Sequence, residues 1–320
     1  MTAEIDKSNS EIITLEILEF LIKDRTSKKT LKWGTNNYKR YGLGYFENDY
    51  IETIKISGRH KNLIKPRIEK SLAQQKKRSK DMAEVFTPSW TCNAQNNLVD
   101  NEWFGYAGSF NIEGNKEWTP TKKVIFPKGK TWKQYVDEDR LEITCGEAPY
   151  LVSRYDATTG KSLDVPFRIG LLDRKLRVIN ENVDDEKEWL KYVETAYKRV
   201  YGFDYQGDNV LLARINLLIT FYDNYLYKFG VEPKQEYLVD IANIISWNIW
   251  QMDGLKFVIP NSCHKEEIYQ LSLFDDEPEV EFCYGCRKND YKRHNGIYCL
   301  IKDWRKNKNI RFVDLIEGGF

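Results

Sequence analysis

The chain has 320 residues, enough for one large or two modest domains. Its 49 Lys and Arg balance 48 Asp and Glu, so net charge alone argues for no partner class. No run approaches the ~18 apolar residues of a membrane span, the N-terminus lacks a signal-peptide pattern, and six cysteines, three of them near the end, look unlike a secreted disulfide framework; the expectation is a soluble cytoplasmic protein with no membrane partner.

Residues 10–25 carry apolar side chains at helical spacing (Ile12, Ile13, Leu15, Ile17, Leu18, Leu21, Ile22), which predicts an amphipathic helix. Residues 29–56, rich in Tyr, Gly, Thr and Asn, read as strands and turns. Between Arg59 and Lys80 lie nine basic residues against one acid, Glu69. That segment is predicted helical, with Pro66 near its first turns or breaking it. It reads either as a polyanion-binding surface or as a solvated helix face. Thr87-Pro88-Ser89-Trp90 makes a turn and cap, with helix over 91–99. Residues 102–139 read as a loop-rich insertion. Helices follow over 169–183, 186–200, 208–229 and 235–246, interleaved with short apolar strands that end at Asp204 and Asp253. Alternating strands and helices predict an α/β fold with a parallel, doubly wound sheet.

The stretch Leu141-Glu142-Ile143-Thr144-Cys145-Gly146-Glu147-Ala148-Pro149-Tyr150-Leu151 reads as a buried strand, a tight turn and a helix start. Open α/β sheets bind nucleotides beyond such strand ends, where a glycine lets the backbone approach and amides point at the ligand. Glu142, Asp204 and Asp253 would then form a row of strand-end acids. Taken singly, Glu142 and Asp253 read equally as ordinary turn acids.

The order Phe86-Thr87-Pro88, Leu141 to Leu151, Gly202-Phe203-Asp204, then Gln251-Met252-Asp253 resembles the amino-terminal part of adenine-specific DNA methyltransferases of restriction–modification systems, the proteins called restriction endonuclease subunit M. The similarity covers about residues 82–260 and includes the helix Leu211-Leu212-Ala213-Arg214-Ile215-Asn216-Leu217-Leu218. It implies a Rossmann-like class I methyltransferase sheet that binds S-adenosylmethionine. Phe86, Thr87, Pro88, Glu142, Cys145 and Gly146 would face the methionine part, Asp204 the ribose and Asp253 the adenine. It also implies DNA as partner. Two departures stand out. Ala148-Pro149 replaces the motif's second glycine, and the chain has no Pro-Pro pair for the loop that holds a flipped adenine. The corresponding position reads Phe257-Val258-Ile259-Pro260-Asn261-Ser262-Cys263.

Near the end, Cys283-Tyr284-Gly285-Cys286 precedes His294 and Cys299, a spacing that suits a structural zinc site; Cys263 and His264 are reserve ligands should His294 be free. Reduced bystander cysteines are the competing reading. The tail, 297–315, predicts a hairpin over Asn307-Lys308-Asn309.

The expected organisation is a helical, basic region over 1–81, a methyltransferase-like domain over 82–262 and a small zinc-knuckle-like segment over 263–320. The expected function is S-adenosylmethionine-dependent adenine-N6 methylation of DNA, alone or as a subunit whose partner supplies catalytic or specificity elements. The alternative is a non-catalytic DNA-binding module that supports a partner. A nuclease reading finds no convincing Pro-Asp…Glu-x-Lys constellation.

Overall fold

The computed structural model describes residues 9–82, 84–85, 87–268 and 279–316. Phe86 and the part of the acidic stretch up to residue 278 lie outside the described residues. The first periodic segment folds as two helices, α1 (Asn9–Ile12) and α2 (Leu15–Ile22). Thr14 sets the boundary, because its hydroxyl accepts from the Ile17 amide at 3.4 Å and caps α2. The 29–56 region, expected to hold strands, forms turns, isolated bridges and the single-turn α3 (Thr53–Ile56).

The basic segment is a regular helix only from residue 72 onward, as α4 (Leu72–Met82). Before it come two 3₁₀ turns, Gly58–His60 and Arg67–Glu69. Pro66 explains the difference: it has no amide to donate and biases Lys65 toward extended backbone, so one helix cannot run through. Next comes α5 (Ser89–Phe104). The loop-rich 102–139 region contains a small hairpin, β1 (Asn111–Glu113) with β2 (Trp118–Pro120), and α6 (Trp132–Val136), started by a Thr131–Gln134 capping box.

Three strands, β3 (Arg140–Ile143), β4 (Val200–Asp204) and β5 (Ile249–Gln251), form one parallel sheet in the order β3-β4-β5. Helices α7 (Leu171–Asn182) and α8 (Glu186–Lys198) connect the first two strands. The connection from β4 to β5 runs through α9 (Gly207–Phe229) and α10 (Gln235–Asn248). The architecture is mixed α/β, with a sheet much smaller than a full doubly wound one. Alternate side chains serve two apolar clusters. Val200 and Ile249 join the large cluster with the helices, including Ile17 and Leu21 of α2. Phe203 and Trp250 face a second cluster with Cys299, Ile301 and Phe312 from the end of the chain.

Buried Arg214 of α9 ties the helix layer together. Its guanidinium donates to the carbonyls of Leu21, Lys23, Ser246 and Ile249, the negative ends of α2 and α10. Burial pulls its pKa down to about 9. The alternation of a parallel ladder turns the amides of Leu141 and Ile143 away from β4. Among the described residues β3 ends the strand order, and the Ile143 side chain is 66% exposed, so the outer edge of β3 carries no further strand.

After β5 the chain forms an antiparallel pair, β6 (Lys265–Ile268) with β7 (Glu279–Phe282). It then forms α11 (Tyr284–Lys288), the expected tail hairpin β8 (Leu300–Asp303) with β9 (Lys308–Arg311), and α12 (Val313–Ile316). Among the described residues no helix is long and apolar enough to cross a membrane.

Candidate functional site

A cavity of about 470 Å³ opens at the carboxyl ends of β3 and β4, a size that suits a nucleoside-like ligand. Thr87, Glu142, Cys145, Gly146 and Asp204 all line it. The turn after β3 is unusual. Thr144, Gly146 and Ala148 adopt φ of +53°, +53° and +63°. The left-handed region costs a β-branched residue such as Thr144 most. Fixed bonds hold it there: Thr144 Oγ1 donates to Ile143 O at 2.7 Å, and the Cys145 amide reaches Phe203 O on β4 at 2.8 Å. The helix start expected at Ala148–Leu151 does not form. A left-handed Ala148 before Pro149 cannot enter a helix, and the next helix begins at Leu171.

Both strand-end acids are buried and engaged. Asp204 Oδ2 accepts the Gly146 amide at 3.0 Å, and Oδ1 accepts the Gln206 amide at 2.8 Å and Asn209 Nδ2 at 3.4 Å. Glu142 accepts the amides of Tyr150 and Leu151 at 3.3 and 3.2 Å. Burial, opposed by those amides and reinforced by Asp204, pushes the Glu142 pKa up to about 8. Asp204 rises to about 6 through burial, again against its hydrogen bonds. Burial thus favours the protonated form of both acids, more strongly for Glu142 than for Asp204.

Two expected cofactor contacts lie elsewhere. Pro88 sits at the start of α5 against a neighbouring cavity with Trp118 and Asp156. Asp253 closes its own turn, where Oδ1 accepts the amides of Leu255 and Lys256 at 3.0 and 3.2 Å and Oδ2 lies 3.5 Å from Lys256 Nζ. The last residue of β5 is Gln251, and its side chain is spent on the backbone of Lys32 and Tyr205. Unforeseen lining residues are Glu84, Gln206 and Asn209. Glu84 takes a bidentate pair from Arg78, which also reaches Asp208 at 2.7 Å and Asn209 at 3.0 Å. Arg78, read in sequence as part of a solvated or phosphate-binding run, is a buried tie between α4 and α9.

The cysteine cluster has a different membership from the one the spacing suggested. Cys263, Cys283, Cys286 and His294 place their ligand atoms within 4.8 Å of one another. His294 Nδ1 lies 3.6, 3.5 and 3.6 Å from the sulfurs of Cys263, Cys283 and Cys286. Zinc–sulfur bonds of about 2.3 Å and a zinc–nitrogen bond of about 2.0 Å give a tetrahedral edge of about 3.6 Å, so the group could hold a metal ion such as zinc. The Asn295 amide donates to Cys283 Sγ at 3.3 Å and orients that ligand. A Cβ on Gly285 would lie 2.7 Å from both His294 Nδ1 and Asp290 O, so only glycine fits the knuckle.

Cys299, the expected fourth ligand, belongs instead to the second apolar cluster, with its sulfur 3.4 Å from Gln251 O. Cys263 takes its place because the β6–β7 register pairs Lys265 with Phe282, which brings Cys263 and Cys283 to the open end of that ladder. His264 uses its backbone to bond Asn295. No family model, curated protein or solved structure matches this chain.

Proposed function

We propose that this chain binds S-adenosylmethionine at the ends of β3 and β4, in a Rossmann-like arrangement, and serves adenine-N6 methylation of DNA in a restriction–modification or defence system. The observation that carries the reading is the convergence of Asp204, Gly146 and Glu142 on one cavity beside two parallel strands. Asp204 is held by two amides and Asn209, which leaves part of its acceptor capacity for a ligand hydroxyl. Gly146 would let the turn approach the ligand, and Thr87 also lines the cavity. The cofactor supplies a methyl group on sulfonium. Zinc in the Cys3His group is structural in this reading, because four protein ligands leave no open coordination position.

A second reading, a methyltransferase-like module without catalysis of its own, is favoured by one observation. Pro260 O accepts from Lys32 Nζ at 3.2 Å and Asn261 Oδ1 from Tyr205 Oη at 3.1 Å. The acceptors nearest in sequence to the missing base-holding loop are thus engaged within the chain. A partner that supplies this loop fits the open edge of β3 beside the cavity. Methyl transfer to adenine-containing DNA, measured for wild type and Asp204→Asn, separates the readings. Transfer by wild type that Asp204→Asn abolishes supports the enzyme. DNA or cofactor binding with no transfer supports the module.

A further inference from the structure

We propose that the basic segment forms a phosphate-binding groove for a nucleic-acid backbone, set behind the strand-end cavity. It deepens the DNA reading above and rests on it only for the identity of the polymer. Two cavities, of about 490 and 670 Å³, meet over residues 58–70 and share Asn62, Lys65 and Glu69. Lys39, Arg40, Lys61, Lys65, Lys70 and Lys77 line them. None of these six forms an ion pair among the described residues, whereas Arg78 and Arg154, which line the same cavities, both do. The six share one lining acid, Glu69, and Lys70 also acts on buried Asp208 and Glu147 behind the wall.

The break at Pro66 is what makes the groove. A continuous helix would scatter these side chains around its circumference, whereas the turns at Gly58–His60 and Arg67–Glu69 bring Lys65 and Lys70 to one cavity with Lys39, Arg40 and Lys77, and leave Lys61 on the adjoining one. Two donors in the smaller cavity, Lys70 Nζ and Asn37 Nδ2, are buried without a hydrogen-bond partner among the described residues. Such groups are costly unless something completes them. An elongated run of lysine point charges with spare donors suits successive phosphates better than one carboxylate. Arg78 forms the wall between this groove and the strand-end cavity: it lines the groove, while its partners Glu84 and Asn209 line the cavity. A strand held in the groove would pass within one side chain of the proposed cofactor.

The test is DNA binding by the full chain across a salt series, with single- and double-stranded oligonucleotides of several sequences. Lys65→Ala/Lys77→Ala is expected to weaken binding equally for all sequences. It should also flatten the plot of log affinity against log salt by about one unit per lysine. Lys122→Ala/Lys187→Ala, on exposed lysines elsewhere, should leave both unchanged. DNA binding whose affinity and slope survive Lys65→Ala/Lys77→Ala in folded protein overturns the groove and leaves the DNA reading standing. No DNA binding by wild type overturns both. Stoichiometric binding of inorganic phosphate without DNA binding overturns the backbone assignment in favour of a free phosphate or nucleotide. S-adenosylmethionine affinity, read in parallel, should be unchanged in Lys65→Ala/Lys77→Ala.

Discussion

Two carboxyls decide what the strand-end cavity does at a given pH. Glu142 keeps its proton to about pH 8 when folded, against about 4.5 in an ordinary glutamate. Between those values the folded chain binds a proton that the unfolded chain has lost. The stability contributed by this group is full below pH 4.5 and is lost as pH rises through 8, by up to about 5 kcal/mol. Glu142→Gln mimics the protonated form, so its melting temperature should fall less than that of wild type between pH 5 and 8.5. Parallel melting curves for the two proteins across that range would contradict the assignment. Asp204, raised to about 6, should limit cofactor binding at low pH, with affinity falling as pH drops through 6. The place of Asp204 at a strand end was legible because Gly202-Phe203-Asp204 closes a strand on its own. That of Asp253 was not, since β5 ends at Gln251 and two amides in the following turn claim the carboxylate.

At the scale of elements, the metal group shows where sequence spacing misleads. Cys283, Cys286 and His294 lie close along the chain, and they come together in the fold. The fourth partner depends on a ladder that joins residues about twenty apart, and no local pattern announces it. Cys299 is nearer in sequence but sits on the apolar face that Phe203, Trp250 and Phe312 bury. Zinc content should therefore fall from about one per chain to well below half in Cys263→Ser and stay near one in Cys299→Ser, as read by elemental analysis. The reverse pattern would return Cys299 to the site. The helix boundaries are similar: long periodic helices such as α9 and α10 and the break at Pro66 were readable, whereas the left-handed Ala148 that removes the expected helix start was not. Arg78 was hidden for another reason, because a buried ion-pair residue and a surface cation are the same letter within a basic run. Arg78→Ala should cost about 3–5 kcal/mol in chemical denaturation, since it leaves Glu84 and Asp208 buried without their cation. A cost below 1 kcal/mol would place that pair in solvent.

On the scale of the whole molecule, a small parallel sheet separates a thick helical layer from the end of the chain that carries the Cys3His group. Helix α2 from the N-terminal region shares the main apolar cluster with α9 and α10, and the Arg214 bonds lock these helices together. The alternation of strands and helices predicted the α/β class, but the extent of the sheet was not written in it. The chain leaves the sheet after β5 to cover its second face instead of adding a strand beside β3. The most direct test of the central claim is isothermal titration of the full, zinc-loaded chain with S-adenosylmethionine. The account predicts micromolar binding at one site per chain, lost in Asp204→Asn. Absence of binding by the folded wild-type protein at neutral pH would contradict it.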